Sequence, residues 1–206
     1  IRLGTIIDPE SIRLGNLLAR MLEAYPHIDI TLHHGISGNI RRGIEDGELD
    51  AGFYLGDLND PAIEVMVLRN VRYVVIAPLS YSEWLQDAEI ASLQQLPWIG
   101  PNVHSSQHRL LSHMFASAGL QQPDKVVNVD QESSMIDLVR NGVGVCLMRE
   151  EIIEAHAAQN ELLIWDKAMM NCPLSFLYLR ERAGEAQIKA IRDAVARQYD
   201  KAAIPT

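Results

Sequence analysis

Apolar positions recur along the chain in two alternating rhythms. Residues 2–6 read as a strand. From 9 to 25 the residues Leu14, Leu17, Leu18, Met21, Leu22 and Tyr25 fall at helical spacing, predicting a helix that starts at Pro9 and ends before Pro26. The alternation over 28–34 predicts a second strand, and Gly35-Ile36-Ser37-Gly38 turns the chain into a second helix that stops near Gly47. Strands are expected at 50–55 and 63–68, followed by the apolar run 71–77. A second round follows: a short strand at 98–99, a helix over 105–118, a strand over 125–129 and a helix over 132–141. Strands at 143–148, 162–165 and 174–179 and a closing amphipathic helix over 185–199 complete it. Such βαβα order predicts an α/β fold of parallel sheets covered by helices on both faces. No repeat, low-complexity tract or flexible linker interrupts it. Two lobes are expected, 1–70 plus 172–206 and 71–171, with strands crossing between them near 70–72 and 171–173.

The segment "LVRNGVGVCLM", residues 138–148, raises a local question, because two glycines sit where a helix gives way to a strand. Gly142 follows Arg140 and Asn141 where a helix C-cap takes the left-handed conformation that glycine adopts cheaply. The nearly continuous apolar run after it is the pattern of a parallel strand buried on both faces. Gly144 lies at the start of that strand, where a missing side chain lets another backbone, or a ligand, come close.

Composition narrows the function classes. With 206 residues and 48% hydrophobic content the chain can bury a substantial core, and no window approaches a membrane-spanning length, so a soluble protein is expected. Lys plus Arg number 18 against 27 Asp plus Glu, a net charge of -9 that repels phosphate backbones, so this chain alone is not expected to bind nucleic acid. Cys146 and Cys172 show neither CxxC spacing nor a disulfide framework and suit a reducing compartment. The chain begins inside an apparent strand without an initiator Met, as expected of a piece of a longer protein.

Together, "IRLGT" at the start, "LLARMLEAYPHIDITLHHG" from Leu17, "GIEDGELDAGF" from Gly43, "FASAGLQQP" from Phe115 and "LVRNGVGVCLM" resemble the effector-binding (co-inducer) domain of LysR-type transcriptional regulators, over essentially the whole chain. The resemblance implies a type 2 periplasmic-binding-protein fold, two Rossmann-like lobes joined by two crossover strands, with a small molecule held in the cleft. It also implies a cytoplasmic bacterial regulator that forms homodimers or homotetramers and touches DNA only through an N-terminal winged helix-turn-helix. In that setting the two glycines shape the lobe. Asp50 is similar to an Asp that family members carry, and is expected to fix the Gly47 turn through backbone N–H groups. Two departures, Pro78-Leu79-Ser80-Tyr81 in place of a His-Pro-Leu segment and Arg149 in place of a proline, are expected to lie away from the cleft.

Helix N-termini facing such a cleft offer unpaired N–H groups and a positive dipole end. By resemblance the effector contacts come from four turns. The candidate residues are Ile7, Asp8 and Pro9; Ser37 and Gly38, with Tyr54; His104, Ser105 and Ser106; and Asp130 and Ser133. Asp8 has two readings. It is the N-cap of a helix with Pro9 at N1, or it is a carboxylate at the cleft mouth that repels acids and favours an effector bearing an amine. His104 and His108 share i, i+4 spacing, but no carboxylate or cysteine completes a metal set at helical spacing. His33 and His34 point to opposite faces of a strand. No nucleophile elbow, phosphate loop or dinucleotide fingerprint is present, so no catalytic residue, metal or cofactor is expected. The alternative reading is a periplasmic solute-binding protein, which shares the fold, and an enzyme on the same scaffold comes third.

Overall fold

The computed structural model describes residues 1–6, 9–101 and 103–200. In chain order its elements are β1 (Arg2–Thr5), α1 (Leu14–Ala24), β2 (Thr31–His34), α2 (Ser37–Glu45), β3 (Ala51–Leu55) and β4 (Ile63–Ala77). Then come α3 (Ser82–Gln86), α4 (Ile90–Leu93), β5 (Trp98–Gly100), α5 (Ser106–Ser117), β6 (Lys125–Asn128) and α6 (Glu132–Arg140). The chain closes with β7 (Cys146–Arg149), α7 (Glu150–Ala158), β8 (Leu163–Leu179) and α8 (Ala186–Asp200). It divides into two compact units. Unit 1 comprises Ile1–Asn70 and the segment from Pro173 onward, and unit 2 comprises Val71–Cys172. The chain passes from one to the other inside β4 and returns inside β8. The runs 63–68 and 71–77, expected as separate strands, are therefore one strand of 15 residues, and 162–165 and 174–179 merge into one of 17. Arg69 and Asn70 in the first case, and the mixed segment 166–173 in the second, interrupt the hydrophobic pattern without ending the strand.

In unit 1, β2, β1 and β3 are parallel, with Arg2 opposite Thr31 and Leu3 opposite Ala51. The returning part of β8 is antiparallel to β3, from Ala51 opposite Tyr178 to Leu55 opposite Leu174. The expected all-parallel sheet is corrected here, because β8 comes back from the other unit and is not bound by the βαβ crossover that enforces parallel pairing. Ile40, Ile44, Leu49, Tyr54, Ile63 and Leu177 form one core cluster, and Phe53 and Phe176 meet edge to face at 5.3 Å.

The first helix is also corrected. α1 starts at Leu14, and residues 9–13 form turns in which Pro9 and Glu10 carbonyls accept from the Leu14 and Arg13 N–H groups. Arg13 takes a left-handed conformation, φ 50°, which breaks the helical ladder. Pro9 is thus not the N1 residue of the helix. Gln198 Nε2 donates to the carbonyls of Ile12 and Arg13 at 3.2 and 3.3 Å, tying this turn to α8. Leu14, Leu17 and Met21 are buried as the periodicity predicts, but Leu22 and Tyr25 are exposed.

Asp50 departs from its expected role. The Gly47 turn is closed by backbone bonds, Gly47 N–H to Ile44 and Leu49 N–H to Gly43, with Gly47 at φ 70°. Asp50 instead accepts from the Arg2 backbone N–H at 2.7 Å and from the guanidiniums of Arg2 and Arg182, each at 2.8 Å. Burial opposes its charge, yet the hydrogen bonds from Arg2 and Arg182 hold its carboxyl well below the usual carboxylate range.

In unit 2, β7 is antiparallel to β4, Val74 opposite Met148 and Ile76 opposite Cys146, while β5 and β6 are parallel. The strand expected over 143–148 begins at Cys146; it is buried there, but Val143 is exposed, and the strand is antiparallel to its main neighbour. Its only parallel link among the described residues is the Trp98–Val145 bridge. The α6 terminus is a Schellman cap: Gly142, φ 80°, donates to Val139 and Val143 donates to Leu138. At Gly144 the close neighbour is backbone. A Cβ there would collide with the Pro97 carbonyl, which accepts from Val145 N–H at 2.9 Å. The core of unit 2 gathers Val74, Ile76, Ile99, Met135, Val139 and Met148. α3 and α4, of 5 and 4 residues, are too short to have shown a helical period in the sequence.

Candidate functional site

Each unit presents helix starts at the ends of its strands. In unit 1, Ser37 opens α2 and is buried; its Oγ accepts from the Leu55 N–H at 3.0 Å, joining the helix start to the end of β3. Gly38 follows it, half-buried. Tyr54, one residue before Leu55, is 4% exposed and packs in the apolar cluster of that unit. Thr5, at the end of β1, pairs its hydroxyl with His34 Nδ1 at 2.6 Å. Pro9 lies in the exposed turn ahead of α1, whereas Ile7 and Asp8 lie outside the described residues. The two readings of Asp8 therefore have no geometry here.

In unit 2, Ser105 is the N-cap of α5: its Oγ accepts from the His108 N–H at 3.0 Å. That hydroxyl accepts a backbone bond of the helix start, and neighbouring His104 is exposed with its carbonyl accepting from Arg109. The Ser–His juxtaposition in the sequence is thus not a nucleophile and its base. Ser106 is buried and shares a side-chain hydrogen bond with Tyr73 of β4, whose phenol is pushed up by burial and stays protonated. His108 titrates lower than usual, through burial and then the nearby cations Lys125 and Arg109.

Asp130 and Ser133 are both exposed at the start of α6. Between them Glu132 forms a two-pronged pair with Arg149, Nε to Oε1 at 3.0 Å and Nη2 to Oε2 at 2.5 Å. Arg149 is 2% exposed and also reaches Glu151 at 3.3 Å. Arg149, expected to lie away from the cleft, is joined through Glu132 to the turn that carries Asp130 and Ser133. The signal was present: a charged residue ending a fully apolar strand must find a countercharge. A carboxylate in the first turn of α6 also complements the helix dipole, so that end of the helix carries an internal anion.

Among the described residues no cluster of three or more His, Cys, Asp or Glu is arranged to hold a metal ion. Cys146 and Cys172 are buried free thiols, and burial pushes Cys146 far above the usual range, making it inert as a nucleophile. No described helix is long and apolar enough to cross a membrane.

The chain matches the family model of the LysR substrate binding domain over residues 1–200. It is similar to the HTH-type transcriptional regulator CysL of Bacillus subtilis (strain 168), with 20% identity over 149 residues, 72% of this chain and 50% of that protein. The chain thus spans about half the length of the curated relative it matches. Among solved structures, the effector-binding domain of QuiR in complex with shikimate superposes with a TM-score of 0.80 at 19% identity, covering 98% of this chain and 97% of that one. The regulatory domain of CcmR from Synechocystis PCC6803, in complex with 2-PG, gives 0.79 at 16% identity, covering 97% and 96%. The effector-binding domain of a BenM variant gives 0.75 at 19%, covering 100% and 96%. These likenesses establish a mixed α/β fold of the type 2 periplasmic-binding-protein kind.

Proposed function

Because this chain belongs to the LysR substrate-binding-domain family, and is the effector-binding regulatory domain of a LysR-type transcriptional regulator rather than an enzyme, we propose that it senses a small metabolite through its helix-start turns. The observation that carries this reading is the family match across residues 1–200. In unit 1 the contacts are assigned to Ile7, Asp8 and Pro9, to Ser37 and Gly38, and to Tyr54. In unit 2 they are assigned to His104, Ser105 and Ser106 and to Asp130 and Ser133. The effector acts only as far as it binds one arrangement of the chain better than another, since a ligand bound equally by both shifts nothing.

An amine-bearing effector is the preferred class. Asp8 and Asp130 supply carboxylates to two of the turns, and the start of α6 is already complemented by Glu132, which disfavours a second anion there. The full-length regulator is proposed to act in the cytoplasm as a homodimer or homotetramer, reaching DNA through an N-terminal winged helix-turn-helix.

Isothermal titration with matched sets of small amines and small dicarboxylates tests the assignment. Saturable binding of an amine, weakened severalfold in Ser133→Ala, supports both the site and the class. Ser133 is exposed, so that substitution leaves the core intact. Tight binding of a dicarboxylate with no amine response sinks the amine reading. An unchanged affinity in the variant removes Ser133 from the site.

A further inference from the structure

The chain contains seven methionines in unlike surroundings. Met21, Met114, Met135 and Met148 are buried, Met66 and Met170 are partly covered, and Met169, on β8, is 52% exposed. A thioether that peroxide can reach is open to oxidation. The two thiols, which would otherwise compete for peroxide, are both buried, and burial keeps Cys146 protonated.

Exposure alone would make Met169 a chance lesion, but its sulfur has a cation beside it. Arg72 of β4 donates from Nη2 to the Met169 sulfur, and its Nε is held at 3.1 Å by Glu150, the first residue of α7. All three residues lie in unit 2. A thioether sulfur is a weak acceptor. A sulfoxide oxygen is a polar one, so the oxidised side chain gains a charge-assisted hydrogen bond that the reduced one lacks. Where an added oxygen enters apolar packing it disrupts it; here it meets a donor already in place.

From this arrangement we propose that Met169 is a peroxide modification site whose oxidised form is held by Arg72. A sulfur lone pair attacks one oxygen of hydrogen peroxide, an S–O bond forms as the O–O bond breaks, and the other oxygen leaves as water, taking the proton of the oxygen transferred. Sulfur gives up two electrons and the peroxide is reduced. The unbranched, half-exposed side chain turns its new oxygen to the Arg72 guanidinium. That ties β8 to β4 and, through Glu150, to α7 more firmly than the thioether does. The site does not depend on the effector reading above, because none of its residues belongs to the four turns.

The experiment treats the chain with limiting hydrogen peroxide, follows each methionine by peptide mass spectrometry, and compares the thermal midpoint before and after. Met169 should gain one oxygen atom severalfold faster than Met66 or Met170, and the midpoint should rise by roughly 2–4 °C. Methionine sulfoxide reductases should remove both the oxygen and the rise. In Arg72→Leu, Met169 should still be oxidised but the rise should vanish, and in Met169→Leu peroxide should leave the midpoint unchanged. Both positions are exposed, so both variants keep the core intact. Oxidation of Met169 no faster than that of the partly covered methionines, an unchanged or lower midpoint after oxidation, or the same rise in Arg72→Leu overturns the proposal.

Discussion

At the scale of single residues, two glycines and one aspartate show how unlike the consequences of similar positions can be. Gly144→Ala forces a Cβ into the Pro97 carbonyl that holds Val145, whereas Gly142→Ala meets open space and only strains a left-handed backbone. The expected losses of stability are ~2 kcal/mol or more for the first, as an overpacked core position, and ~1 kcal/mol for the second. Urea denaturation of the two variants checks the order. Asp50 holds a different kind of energy. Its folded pKa is depressed, so the stability it contributes is present above the unfolded carboxylate pKa and is lost as pH falls through the folded value. The stability gap between the parent and Asp50→Asn should be complete above about pH 5 and shrink through the acid range. We expect about 2 kcal/mol at neutral pH, below the value for a fully buried pair because Arg2 is half exposed. Denaturation midpoints measured across pH decide this, and a gap that grows with acid would contradict it. The sequence showed where these three residues stand and that two needed no side chain. It could not show that Asp50 faces Arg2 and Arg182, since Arg182 is distant in the chain and only the sheet brings it near.

Within unit 2, polar contacts join elements at their ends. Ser105 caps α5, and its replacement by alanine should cost ~1 kcal/mol, read as a lower thermal midpoint. The Arg149–Glu132 pair ties the end of β7 to the start of α6 within unit 2. Removing one partner leaves a charge in a largely dry site, so Arg149→Met alone is expected to cost ~3 kcal/mol. The double variant Arg149→Met, Glu132→Gln should recover a substantial part of that loss, and a double-mutant cycle would measure the coupling. Strictly additive losses would mean that the pair contributes nothing as a pair. Helices with strong periodicity were readable within a residue or so, as α5, α6 and α8 show. The start of α1 was not, because a single left-handed residue, Arg13, overrides the apolar spacing that continues through it.

For the molecule as a whole, the proposed sensing role predicts linkage between ligand and stability. A recognised effector at a hundred times its Kd should raise stability by about 2.7 kcal/mol, visible as a concentration-dependent rise in melting temperature. Sedimentation at several concentrations tests the proposed homodimer or homotetramer, and a monomer at all of them would remove it.

The sequence by itself determined the alternation of strands and helices, the glycine cap at 142 and the family, because local periodicity and short-range backbone chemistry are written in neighbouring residues. It also marked most of the helix starts from which a sensing site is proposed. Only the tertiary structure decided that β8 returns antiparallel, that Gly144 admits Pro97, and that Asp50 and Arg149 meet their countercharges. It also decided that the Trp165 indole N–H is buried without an acceptor among the described residues. Each of these depends on which distant segments the packed chain brings within a few ångströms of one another, and the spacing of residues along the chain carries no record of that.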